Sequence, residues 1–188
     1  MLATVGVLLP AIVVAGQAPV ARAVSGVWTT VMEDGAAITT HDGSKWTAPA
    51  GYPFAVFEEP REFRGGTVRV EFRLIGGTDD YPAGLVFGHR DETYFYVRYN
   101  TKDGNVALWR MDGVKRTVIE HGEAHEQLAR GVWHSLELVV DGPHIRATVN
   151  GHLTVEHTLD APPPPGRLGL WTKPDATTAF RNLRVRTP

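Results

Sequence analysis

Alternation of apolar and polar positions dominates the chain, and it is clearest between residues 131 and 151. Leu136, Leu138 and Val140 alternate with Ser135, Glu137 and Val139 before the pair Asp141-Gly142. Ile145, Ala147 and Val149 alternate with His144, Arg146 and Thr148 after it. A period of two on both sides of an Asp-Gly pair predicts an antiparallel hairpin with one buried face. Asn150-Gly151 reverses the chain again into a run starting at Leu153, so three strands form a meander. A parallel pairing would need a crossover on the order of a dozen residues.

The pattern repeats elsewhere. Val68, Val70, Phe72 and Leu74 face one way and Arg69, Glu71 and Arg73 the other, as in a strand with one dry face. Residues 84–89 and 93–100 are expected as two more strands, the second setting Tyr94, Tyr96 and Arg98 against Phe95, Val97 and Tyr99. Residues 106–111 and 114–120 continue the series, 54–57 precede it, and 166–171 and 179–185 close the chain. The start is less regular: residues 27–32 and 44–47 are expected as edge strands around a Gly/Asp-rich section. Asp-Gly or Asn-Gly pairs beginning at 34, 42, 103, 112, 141 and 150 supply tight turns. Residues 121–130 have helical composition but are too few for more than a turn or loop, and the prolines at 162–165 require an extended connection outside any ladder. Many short alternating strands in one domain predict an all-β fold of two packed antiparallel sheets, with a closed barrel as the alternative.

Residues 2–14 are almost uninterruptedly apolar, and Ala21-Arg22-Ala23 has the small-x-small form of a signal-peptidase site. Residues 1–23 are therefore expected to be a signal peptide or an uncleaved anchor, although no Lys or Arg precedes the apolar run. Residues 24–188 then form one domain in the periplasm or outside the cell. The run is short for a membrane span, Pro10 interrupts it, and no second such run follows. Cysteine is absent, which excludes disulfides and thiolate chemistry. A formal net charge of -2 with acids and bases well mixed gives no footprint for nucleic acid or anionic lipid.

Four segments carry a family likeness: GGTVRVEFRLIG from Gly65, AGLVFGHRDETYFYVRYNTKDGNVALWRMDGVKR from Ala83, GVWHSLELVVDGPHIRATVNG from Gly131, and GRLGLWTKPDATTAFRNLRV from Gly166. Trp133-His134, Asn150-Gly151 and Gly169-Leu170-Trp171-Thr172-Lys173 are the most specific parts. The chain resembles the concanavalin A-like lectin/glucanase jelly rolls, and in particular the bacterial secreted, laminin-G-like group labelled 3-keto-disaccharide hydrolase-like or family-16-glycosidase-like. The resemblance implies a jelly-roll sandwich over roughly residues 26–186; the superfold serves lectins, glycosidases and adhesion modules alike. Two departures bear on activity. The Glu-x-Asp-x-x-Glu strand of the active glucanases has no match here, since Glu71 is followed by Arg73 and Ile75. Relatives usually read Phe-Asp-Asp-Phe in the last strand, where this chain has Phe180-Arg181-Asn182-Leu183.

Glycoside hydrolysis needs two carboxyl groups about 5–9 Å apart across the scissile bond. Glu71 is flanked by Arg69 and Arg73 on its own face and is expected to pair with them. Asp79-Asp80 and Asp91-Glu92 are loop acids, expected as turn formers unless they converge in space, so no catalytic residue is assigned. Tyr94, Tyr96 and Arg98 share a face, and Trp109 on the next strand falls in the matching phase. Together they would form an exposed aromatic and basic platform, with His89, Arg90 and Asn100 at its edge, suited to stacking on sugar faces and bonding sugar hydroxyls. The expected function is therefore carbohydrate binding without hydrolysis. The alternatives are a glycosidase acting on a modified disaccharide and a protein-interaction module whose concave face is filled by side chains. His121 and His125 lack the spacing of a zinc pair. His134 is expected to be structural, and His144, His152 and His157 to be solvated. No cofactor is required, but the laminin-G-like resemblance leaves calcium possible, with Asp34, Asp42, Asp79, Asp80 and Asp175 as loop donors.

Overall fold

Residues 20–48, 51–78 and 80–188 are described by a computed structural model of the chain. Residues 1–19, which hold the apolar run of the expected targeting segment, and Asp79 lie outside the described residues. The described residues form fourteen strands and one short 3₁₀ turn, Gly43–Lys45. The strands are β1 (Ala21–Ser25), β2 (Trp28–Glu33), β3 (Ala36–His41), β4 (Phe54–Phe57), β5 (Gly66–Gly76), β6 (Ala83–Arg90), β7 (Thr93–Tyr99), β8 (Val106–Asp112), β9 (Lys115–His121), β10 (Trp133–Asp141), β11 (His144–Val149), β12 (Leu153–Thr158), β13 (Arg167–Trp171) and β14 (Thr177–Arg186).

They pair into two seven-stranded antiparallel sheets, a jelly-roll sandwich. The front sheet runs β1-β4-β13-β6-β7-β8-β9 and the back sheet β12-β11-β10-β5-β14-β3-β2. The hairpin read from residues 131–151 is present in the expected register, with Leu136 opposite Val149 and Leu138 opposite Ala147. Its apolar face, with Val68, Val70, Phe72 and Leu74 of β5, meets Leu85, Phe87, Val97, Tyr99 and Leu108 of the front sheet in one buried cluster. Fully burying a side chain of this kind is worth about 1.5–3 kcal/mol, so this cluster is the main source of stability.

The early chain differs from expectation. The strand that pairs with β2 is β3, through a turn at Asp34-Gly35 where both residues have positive φ. Residues 44–47 are not an edge strand: Asp42 accepts from Ser44 N and starts the 3₁₀ turn instead. Strand β1 pairs with β4, with Ala21, Arg22 and Ala23 opposite Phe57, Val56 and Ala55.

Glu71 does not pair along its own strand. Arg181 lies directly opposite it on β14 and donates to its carboxylate at 2.7 Å, and Arg69 pairs with Glu137 on β10. Directly opposed positions lie about 5 Å apart, closer than i and i+2 along a strand, so cross-strand partners win. The expected solvated histidines also have partners: His144 meets Glu156, His152 meets Glu126 and His157 meets Glu120. His134 is structural, its Nε2 donating to the Ala129 carbonyl and its Nδ1 accepting from Asn150.

Replacing Leu138, fully buried at the centre of the hairpin, by Ala removes core volume without touching either outer face. The expected cost is about 2–5 kcal/mol, read as a lower urea midpoint with an unchanged slope.

Candidate functional site

In the front sheet every second residue faces away from the core, and register decides which of them become neighbours. One transverse row runs Val56, Gly169, Val86, Tyr96 and Trp109. The next runs Phe54, Trp171, Gly84, Arg98 and Ala107. The phase expected for β7 is the phase found: Phe95, Val97 and Tyr99 enter the core, while Tyr94 and Tyr96 join a second apolar cluster on the outer face with Phe54, Val56, Val86, Met111 and Trp171.

Trp171 was not foreseen as part of this set, and Gly84 lets it in. Lacking a side chain, Gly84 leaves room for the Trp171 indole to cross β6 and stack on Tyr96, with ring centroids 4.4 Å apart and planes at 22°. A Cβ at Gly84 would lie 2.6 Å from the Val97 carbonyl oxygen and 3.4 Å from the Trp171 ring. Trp109 flanks Tyr96 on the other side at 6.3 Å and 13°. Arg116 of β9 lies over Trp109, its guanidinium carbon 3.8 Å from the ring centroid, and donates to the Tyr52 hydroxyl at 2.8 Å. Tyr52 in turn packs on Trp171 at 5.1 Å. Arg116 and Tyr52 thus join as a strap from opposite margins of the aromatic layer.

The platform is therefore a packed layer rather than an exposed one: Tyr94 is 5% exposed, Tyr96 0% and Arg98 2%. His89 and Trp109 are half-buried. His89 sits beyond a bulge at Gly88 and contacts Phe54 and Tyr94. Asn100 caps its own turn, accepting from Lys102 N and donating to Asp103, which ties it to the β7–β8 connection instead of the edge of the layer. Arg90 points to solvent.

Buried polar atoms without partners concentrate in this layer: Tyr96 Oη, Arg98 Nε and Nη1, Trp109 Nε1 and Arg116 Nε. Neither ring nitrogen of His89 has a partner in good hydrogen-bond geometry. The only ion pair of Arg98 among the described residues is a long one, 3.5 Å to Asp103. Burial pushes the Tyr94 hydroxyl up to about 12 and raises that of Tyr96 further, and burial lowers Arg98. His89 is lowered by burial and then by the charge of Arg167. Each unsatisfied buried group costs about 1–3 kcal/mol, more when charged. Native proteins keep few of them, most buried polar groups being bonded to protein or to ordered water.

Among the described residues the candidate acids are dispersed: Asp80 and Asp91 lie towards opposite ends of β6, near Arg98 and His89 respectively. Asp80 is buried at the start of β6, where it pairs with Lys173 and accepts from the Thr101 hydroxyl at 3.0 Å. Asp91 and Glu92 lie past the far end of β6. Glu71 belongs to the back sheet. Among the described residues no three His, Asp or Glu side chains gather as a metal site. Of the calcium candidates, Asp42 bonds Ser44 and Lys45, and Asp175 accepts from Thr78 N at 2.9 Å. His125 Nδ1 donates to the Asp103 carbonyl, and His121 packs edge-on against Trp109.

A family profile described as the 3-keto-alpha-glucoside-1,2-lyase-like domain matches residues 17–186. No curated protein matches the chain. Among solved structures, the carbohydrate-binding module CBM66 from Bacillus subtilis superposes with a TM-score of 0.71 at 15% identity, over 88% of this chain and 94% of that one. A Bacillus subtilis protein of unknown function with a galectin-like fold gives 0.62 at 14% identity, over 89% and 90%. A putative glycosyl hydrolase from Parabacteroides distasonis gives 0.56 at 15% identity, over 89% and 94%. At these identities the likeness shows the shared fold.

Two outcomes follow for the unliganded protein. Tyr96→Phe removes a buried hydroxyl that has no partner while keeping the stacked ring, so the variant should melt at the same temperature or higher. A drop equivalent to more than about 1 kcal/mol would show that the hydroxyl has a structural bond. The histidines should titrate in a set order by NMR. His41, buried and donating to the Ala176 carbonyl at 2.7 Å, and His89 should titrate below 6.5, and His152 beside Glu126 above it. For His41 and His89 the unfolded chain takes the proton first, so both reduce stability as pH falls below 6.5. His89 titrating at or above 6.5 would contradict its placement.

Proposed function

The chain belongs to the 3-keto-α-glucoside-1,2-lyase-like domain family, and we propose that it is an exported, non-catalytic carbohydrate-binding domain whose ligand seats on the outer face of the front sheet. The observation that carries this reading is the concentration of unpartnered polar atoms at Tyr96, Arg98, Trp109 and Arg116 within one aromatic layer. Sugars offer what that layer lacks, apolar ring faces for stacking and hydroxyls that both donate and accept. The fold likeness to a carbohydrate-binding module supports the reading. Among the described residues Glu71 lies on the other sheet and Asp80 is held by Lys173, which argues against hydrolysis by a pair of these carboxylates.

Binding in this scheme displaces the Arg116–Tyr52 strap, because Arg116 covers the Trp109 ring. A sugar ring then takes the place of the Arg116 guanidinium on Trp109. Arg98 and the Tyr96 hydroxyl bond its substituents, and His89 lies at the far margin. A second reading, cleavage of a modified disaccharide, is favoured by one observation: His89 is half-buried, has no partner in good hydrogen-bond geometry at either ring nitrogen and adjoins Tyr94. An imidazole so placed is a candidate general base.

A glycan array followed by calorimetry on the best sugar separates these readings. Trp109→Ala should weaken binding at least tenfold, a loss of about 1.4 kcal/mol, and the sugar should be recovered intact by chromatography. Cleaved sugar would replace binding with the catalytic reading. Silence on the array from a folded protein would favour the protein-interaction alternative, for which a face filled by side chains is the expected form.

A further inference from the structure

The outer face of the back sheet has the opposite character. It is exposed and basic in a protein whose formal charge is -2. Arg69 and Arg73 project from β5, and Arg181, Arg184 and Arg186 from β14, against Glu71 and Glu137. Five guanidinium groups over two carboxylates leave a local surplus of three positive charges. Glu137 engages Arg69 and Glu71 engages Arg181, whereas Arg184 and Arg186 make no ion pair among the described residues and are exposed.

The register adds to the imbalance. Arg184 lies directly opposite Arg69 on the neighbouring strand, and like charges so placed repel. A bulge puts Arg184 there. The pairing of β14 with β5 shifts between Arg181 and Arg184, with Asn182 at φ 55°. With an unbroken period of two, Arg181 outward would send Arg184 into the core. The bulge instead turns Arg181, Arg184 and Arg186 to the same side, as bulges re-aim side chains beside functional sites. Arg69, Arg184 and Arg186 border a shallow cavity of about 560 Å³, which Thr67, Ser135 and Thr148 also line together with Glu71 and Glu137, the two acids held by Arg181 and Arg69.

We propose that this cavity is a second binding site, for a saccharide chain bearing carboxylate or sulfate groups. An anion between Arg69 and Arg184 turns their repulsion into two charge-assisted contacts, and guanidinium groups match such anions with paired N–H donors. The hydroxyl-bearing wall suits sugar hydroxyls, and the volume lies within the usual range of ligand sites. Single-stranded nucleic acid needs an open aromatic platform for its bases. Trp133, the aromatic of this face, is instead enclosed by Arg73 and Arg181 at 4.6 and 4.1 Å. The site is separate from the front-sheet layer and does not depend on it.

The test titrates the full chain with polygalacturonate and with dextran sulfate, with neutral dextran as control. A variant carrying Arg184→Ala and Arg186→Ala runs alongside, and melting temperatures confirm folding. The expected result is binding to one or both acidic polymers but not to dextran. It should be at least tenfold weaker in the variant and should weaken as salt rises from 50 to about 200 mM, as exposed charge pairs are screened. Preference for one polymer tells carboxylate from sulfate. The unliganded variant should melt at the same temperature or higher, since a repulsion has been removed. Equal binding by variant and parent, no binding by the parent to either polymer at low salt, or equally tight binding of duplex DNA would each overturn the proposal.

Discussion

The stack of Trp171 on Tyr96 holds the outer face of the front sheet together. The two rings come from strands that are not neighbours, with β6 between them, and they meet only because β6 presents Gly84 at that row. Once they meet, Tyr52 has a surface to pack on, Trp109 has a parallel neighbour, and Arg116 can bridge the two margins. Aromatic pairs contribute about 0.5–1.5 kcal/mol beyond the area they bury. A chain of them explains why side chains on an outward face reach near-zero exposure. A side chain at position 84 would separate the rings and open the layer.

That packing has an energetic consequence. It strands a hydroxyl, an indole N–H and parts of two guanidinium groups away from partners, at about 1–3 kcal/mol for each neutral group. The fold tolerates it because the core between the sheets is continuous and closed, and each of its large apolar side chains returns about as much as one stranded group costs. A layer kept only for stability would carry Phe at 96 and an apolar residue at 98. The residues present instead place unmet hydrogen-bonding capacity beside a strap of one arginine and one tyrosine.

The sandwich and the phase of β7 were legible in the chain because they rest on period-two alternation and tight turns, which are local. Leu136, Leu138 and Val140, and Tyr94, Tyr96 and Arg98, could be assigned to faces with no knowledge of what lay beside them. Lateral neighbours were not legible. That β13 lies between β4 and β6 depends on the whole topology, so Trp171, Tyr52 and Arg116 gave no sign that they belong with Tyr96. The same limitation assigned Glu71 to arginines on its own strand when its partner was Arg181. Residues 36–41 were passed over for a different reason. Ala-Ala-Ile-Thr-Thr-His has little amplitude in its alternation, and the Asp-Gly pairs on either side read as a continuous loop.

The two outer faces follow from one division of labour. Strands β5 and β7 each commit one face to the shared core, and that commitment fixes their register and twist. Their other faces are then free to differ. On β7 the free face is aromatic and drawn inward, with polar atoms buried and unpaired. On β5 it is charged and open, with a bulge in β14 turning three arginines to the same side. Neither arrangement is needed to hold the sheets together, and each carries a local cost, from desolvation in one case and from like-charge repulsion in the other. Both costs would be offset by a ligand of complementary chemistry, a neutral sugar ring at the front and an acidic saccharide at the back. Side-chain alternation therefore identifies the fold readily and the ligand poorly: the core repeats a common pattern, and the chemistry that would distinguish this protein lies on surfaces the core does not constrain.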